Sequence, residues 1–157
     1  MYDTRQDLLD ALRACPTVLK ALLQDDPLGG TLASAAQGEW APVEIVCHLR
    51  DAEERALERM RLMRDQNDPF LPGYDQEAWA QERNYARAEL SAALAGFTRF
   101  RQEHTDELAS LPPDRWERPG RHEDVGTITI LNHTIHLVCH DLVHLGQLAR
   151  AKLASDE

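Results

Sequence analysis

Between Asp124 and Arg150 this chain carries a single formal charge, Asp141, and in the same stretch four histidines: His133, His136, His140 and His144. Their spacing is three, four and four. An α-helix turns by roughly 100° per residue, so these steps return almost to one direction and set the four imidazoles in a stripe about 80° wide. The surrounding text, TITILNHTIHLVCHDLVHLGQLARA, holds no Gly or Pro before Gly146. It predicts one long helix over residues 127–154, apolar nearly all round. Such a helix is central to a bundle or shared with another subunit. Its His, Asn and Gln content argues against a lipid span. We therefore expect a homodimer that buries part of this fourth helix. Stacked imidazoles are costly to bury unless their ring nitrogens are used, and a transition metal is the commonest user.

The rest of the chain is patterned the same way, and no stretch shows strand alternation. Leu8, Leu9, Leu12, Cys15, Leu19, Leu22 and Leu23 recur at helical spacing, which predicts a first helix from Thr4 to Leu23, kinked or split by Pro16 near Arg13. A loop follows over residues 24–38. Pro42 suits the first position of a second helix, and Glu44 the first turn, with the helix running to about Asp65. Its apolar stripe includes Ile45, His48, Leu49, Ala52, Ala56, Met60 and Met63. Arg50, Glu53, Glu54, Glu58, Arg61 and Arg64 are assigned to the solvated face. Residues 66–85 form a long connection with one helical turn near residues 76–83. A connection of that length can cross a bundle and lets the third helix (residues 86–111) run parallel to the second. The architecture expected is all-α, a four-helix bundle in one domain over residues 1–157.

A length of 157 residues suits one domain with its own core. The balance of 17 basic against 27 acidic residues, a net charge of −10, disfavours nucleic acid and anionic membrane surfaces. No basic segment followed by an apolar one opens the chain, and no apolar run reaches spanning length. Cys15, Cys47 and Cys139 are odd in number and contain no CxxC. They read as three buried thiols in a cytoplasmic protein.

His140 and His144 are i, i+4, within chelating reach on one helix face. Asp141 stands where the HExxH metalloprotease pattern needs Glu. Spacing alone admits His136/His140 and His133/His136 equally. His48, at the edge of the apolar stripe of the second helix, supplies a ligand from a second element. Haem would want a CxxCH, which is missing.

The segments GEWAPVEIVCHLRDAEERALER, WAQERNY and HDLVHLGQLARA resemble the DinB/YfiT-like superfamily of metalloenzymes, along nearly the whole chain. The resemblance implies a four-helix bundle of up-down-down-up order. It also implies a divalent metal, zinc or nickel, on His48, His140 and His144. One departure is Ala41, where relatives often carry Ser or Thr; it removes the side-chain half of a capping box, at about 1 kcal/mol. Three neutral imidazoles leave a divalent ion cationic with open positions, where water becomes more acidic and a thiol is deprotonated. Thiol-dependent relatives make a low-molecular-weight-thiol S-transferase acting on a small-molecule substrate the first expectation. A metal-dependent hydrolase and a non-catalytic metal-binding stress or interaction protein are the alternatives. Candidates to assist the metal are Gln147 (orienting water), Glu44 and Asp51 (bases near His48) and His136 (the rim). Asp141 is expected in a structural or interface role. His104 and His122 are expected exposed and idle, Trp40, Trp79 and Trp116 at bundle ends, with a pocket wall the alternative for Trp79, and Glu82–Arg83 closing the site or tying the crossover down.

Overall fold

Asp3 starts the first helix: its carboxylate accepts from the backbone N–H groups of Arg5 and Gln6, satisfying donors that have no partner inside the helix. The computed structural model describes residues 3–24 and 40–155, so the expected loop at residues 24–38 lies almost wholly outside the described residues. Helix α1 (Thr4–Leu23) buries Leu9, Leu12, Cys15, Leu19 and Leu23. Pro16 does not divide it. Proline has no N–H for the Leu12 carbonyl one turn back, and that carbonyl instead accepts from the guanidinium of Arg101 at 3.0 Å.

Helix α2 (Pro42–Asp65) has Ala41 as its cap residue. The surviving half of the capping box is present: the Ala41 N–H donates to the Glu44 carboxylate at 2.8 Å. The connection after α2 holds helix α3 (Gln76–Glu82), capped by Asp75, and a 3-10 turn at Tyr85–Arg87. Helix α4 (Leu90–Ala109) starts later than its apolar spacing suggested, and α5 (Ile130–Ser155) later than the expected residue 127.

Both delays and the expectation of no strands meet local structure that periodicity could not show. Three short strands, β1 (Phe70–Leu71), β2 (Pro119–His122) and β3 (Gly126–Thr129), form one sheet in that order. β1 pairs in parallel with β2, Phe70 opposite Arg121. β2 pairs antiparallel with β3, Pro119 opposite Thr129. Segments of two to four residues are too short to carry an alternation. Gly126 closes the hairpin at φ +80°, a region L side chains avoid. At Gly120 a Cβ would stand 2.8 Å from both Leu71 and Met63, so only glycine lets β2 lie this close to α2.

Helix α2 lies along α4 and α5, and α1 lies along α4 and α5. One apolar cluster joins Cys15, Leu19 and Leu23 of α1 with Val43 to Leu49 of α2, Leu90, Ala93 and Phe97 of α4, and Leu148 of α5. The other joins Leu9 and Leu12 with Ala56 to Met63, Leu108, Ile130 and Leu137. Several polar side chains are buried as well. Arg101, 1% exposed, binds Glu53 at 2.8 Å and Asp141 at 2.6 Å, and His104 Nδ1 meets the other Glu53 oxygen at 2.8 Å. This corrects two expectations: Glu53 is not on the solvated face of α2, and His104 is not exposed. Asp141 has the structural role assigned to it. Cys139 corrects a third, being exposed while Cys15 and Cys47 are buried. Among the described residues no helix is long and apolar enough to cross a membrane.

Candidate metal centre

His48 stands on the buried face of α2 because it shares the stripe of Ile45, Leu49 and Ala52, and the stripe of α5 that packs on it carries His140 and His144. Their contact brings three ring nitrogens together. His48 Nε2 lies 2.9 Å from His140 Nε2, and His144 Nε2 lies 3.2 Å from the same atom. All three candidate ligand atoms are within 4.8 Å of one another. The three ring centroids are 4.5 to 5.0 Å apart, with interplanar angles of 56° to 70°. The rings thus point their edges inward rather than stacking. Trp40 packs on the outer side of His48, ring centroids 5.0 Å apart, and touches Tyr85. It therefore walls the cluster instead of only plugging an end.

The protonation of the three rings suits a cation. His144 Nδ1 faces the side-chain carbonyl oxygen of Gln147 at 2.7 Å. An oxygen acceptor requires the proton on Nδ1, which leaves a lone pair on Nε2 directed at the other two rings. His48 and His140 are kept neutral. Burial, and then the repulsion a protonated His144 would exert, pushes His48 down to about 4 and His140 to about 3. The Nδ1 atoms of His48 and His140 are buried without partners among the described residues. Three neutral imidazoles from two helices make a donor set that fits a borderline divalent transition ion.

Of the residues expected to assist, none of Glu44, Asp51 and His136 joins the group of three ligand atoms within 4.8 Å of one another. Gln147 holds His144 by its Nδ1 rather than orienting water. Glu44 is occupied by the Ala41 N–H. Asp51 is fully buried and bound by Tyr85 Oη, Arg50 Nε and Arg83; it is close enough to act on His48 through space, but its oxygens are taken up by those partners. His136 is exposed on α5, its ring 6.2 Å from that of His140. His133 is buried with a partnerless Nε2, and burial with His104 nearby lowers it to about 3. His122 is half-buried and accepts from the Asp124 N–H at 3.1 Å. Arg83 ties the crossover to α2 through Asp51 and Glu54, while Glu82 is exposed. Trp79 lies under Arg83 and Arg55, and Trp116 is buried at the far end. Sequence reasoning missed the Glu53–Arg101–His104 network. Glu53, Ala56, Leu57 and Met60 share one helical stripe, and that spacing was the available signal.

A profile of the DinB superfamily matches residues 1–148. The chain belongs to the DinB superfamily. Among curated relatives of this DinB member, "Putative metal-dependent hydrolase YfiT" of Bacillus subtilis is 26% identical over 117 residues, 72% of this chain and 66% of its own length. "Putative metal-dependent hydrolase OB0782" of Oceanobacillus iheyensis is 25% identical over 123 residues, 76% of this chain and 70% of its own length. The match therefore spans just under two thirds of YfiT. The solved structure of B. subtilis YfiT, described as a four-helix bundle of unusual topology, superposes with a TM-score of 0.79 at 23% identity, covering 96% of this chain and 89% of that one. At that identity the likeness establishes the fold: this DinB chain is a mostly helical protein with the four-helix-bundle fold of YfiT.

Proposed function

We propose that this chain is a metal-dependent hydrolase of a small-molecule substrate, with His48, His140 and His144 holding a divalent cation, zinc or nickel. The observation that carries the reading is the convergence of three Nε2 atoms within 4.8 Å, one of them with its lone pair aimed inward by Gln147. Bound there, such a cation would supply Lewis acidity and lower the pKa of coordinated water towards neutrality. The group contains three protein donors among the described residues, whereas a purely structural site is closed by a fourth. The relatives named above carry hydrolase names, and none of those names speaks of a thiol. The thiol-transferase expectation therefore gives way to the hydrolase.

The chain's own part is to hold three neutral rings in register and to keep Trp40 against one side of them. The bundle order that does this is up-down-down-up in one domain. Its support is that Glu53–Arg101 and Arg64–Glu107 climb α2 and α4 together, while the early halves of both share a cluster with the late ends of α1 and α5. Three free thiols suit a cytoplasmic setting.

Elemental analysis of purified protein should find a stoichiometric transition metal, and a panel of activated esters and amides should be turned over only by the loaded protein. His140→Ala should lose both, with its far-ultraviolet dichroism preserved. Metal-dependent thiol consumption without hydrolysis would overturn the reading.

A further inference from the structure

We propose that Arg59, with Arg55 beside it, is an anion-binding subsite that receives a carboxylate or phosphate group of the substrate. The inference rests on the hydrolase reading for the word substrate, and on separate residues for the subsite itself.

Arg59 is 8% exposed, yet among the described residues it makes no ion pair. Its one hydrogen bond goes to the Pro72 carbonyl at 2.6 Å, and its Nε is buried without an acceptor. Arg101, at 1% exposure, shows the contrast: two carboxylates surround it. Asp124 and Glu58 act on Arg59 only through space, while burial and Arg55 both make its charge less favourable. Arg55 also has a buried Nε without a partner among the described residues, although its Nη1 pairs with Glu58 at 2.9 Å, so Arg59 carries the uncompensated charge. A buried guanidinium with no counter-ion is costly, and its fork of donors matches an oxyanion.

Position links this charge to the histidine cluster. His48, Ala52, Arg55 and Arg59 follow one another by four, three and four residues, so they share one stripe of α2. A rise of 1.5 Å per residue sets the Arg55 and Arg59 backbones about 10 and 16 Å along the axis from His48, and helix side chains lean back towards the N-terminus, here towards His48. Ala52, between them, carries only a methyl group. On α5 the matching stripe carries His136 and His133, and Arg59 is close enough to disfavour protonation of His133 and of His122. Tyr74 and Trp79, rings 4.6 Å apart, roof the arginines from the crossover, with Arg55 5.2 Å from the Trp79 centroid. The substrate class that fits is an ester or amide with an anionic group at the end remote from the scissile bond.

The test uses metal-loaded protein and two probes, glutarate and inorganic phosphate, read by calorimetry and thermal unfolding against sodium chloride at matched ionic strength. The intact chain should bind a probe and melt higher with it. Arg59→Gln should weaken binding about tenfold or more with unchanged metal content. Its melting temperature in chloride should not fall, because an uncompensated charge has been removed. Arg59→Lys should recover part of the binding. His140→Ala, lacking metal, should still bind phosphate. Unchanged probe affinity in Arg59→Gln overturns the subsite. So does loss of phosphate binding in His140→Ala, which would put the anion on the cation. So does a lower melting temperature of Arg59→Gln in chloride with probe affinity retained, the mark of a structural role through Pro72. Failure of every ester to react, with these binding results intact, would overturn the hydrolase and leave the subsite standing.

Discussion

Gln147 decides which nitrogen of His144 carries the proton, and so whether the third lone pair is available. That is a stronger role than orienting water, and it has a measurable consequence. Gln147→Leu should weaken metal affinity by about 10- to 100-fold, as loss of a partner to a ligating imidazole does, read by competition with a chromophoric chelator; unchanged affinity would remove the role. The spacing made a chelating pair on this helix legible, because residues three or four apart on one face need no tertiary information to be neighbours, but it left His140/His144 level with His136/His140 and His133/His136. Glu44 and Asp51 were placed near His48 by the same arithmetic, and the structure shows both already hydrogen-bonded. Spacing locates a side chain to within a turn but does not say what already satisfies it. Here a cap N–H and a tyrosine hydroxyl do.

Among the elements, α1 shows how a local defect is repaired from outside. Pro16 leaves the Leu12 carbonyl without its helical donor, and Arg101 supplies one from α4 while holding Glu53 of α2 and Asp141 of α5. Four helices meet at one guanidinium. Burial pushes the Glu53 carboxyl up, but Arg101 and His104 outweigh it and hold it down at about 2. Arg101→Met should therefore destabilise the fold by about 3–5 kcal/mol, since it strands two buried carboxylates and a carbonyl. Urea unfolding measures this, and a loss under about 1 kcal/mol would show the network to be dispensable. The extents of α1 and α2 were legible because Pro42 and apolar periodicity are local signals, although the division expected at Pro16 did not occur. The late starts of α4 and α5 were not, because apolar residues continue at helical spacing through the 3-10 turn and strand that precede them.

For the molecule as a whole, burial of neutral imidazoles sets how stability depends on pH. His48 at about 4 and His133 at about 3 lie below their ordinary 6.5, so the unfolded chain binds more protons between those values and about pH 6.5. The metal-free protein should lose stability as pH falls through that window, by up to about 1.4 kcal/mol per unit for each ring. Glu53 extends the loss below its ordinary 4.5. A urea midpoint that stays flat from pH 7 to pH 4 would contradict the burial. The outer face of α5 exposes Leu142 and Val143 at 65% and 60%. We propose that a second copy covers them, so Leu142→Glu should halve the mass measured by light scattering. A monomeric parent at micromolar concentration would end that proposal.

Residue order alone dictated the helical class, the limits of the first two rods and the stripe of histidines, because these depend on neighbours three or four positions apart. Assembly in three dimensions chose which imidazoles meet, made Glu53 and Arg101 interior, and left Arg59 without a counter-ion. Those outcomes join residues as distant as His48 and His140, 92 positions apart, or Leu12 and Arg101, 89 apart. No periodicity encodes a contact at that range; it exists only once the helices have packed.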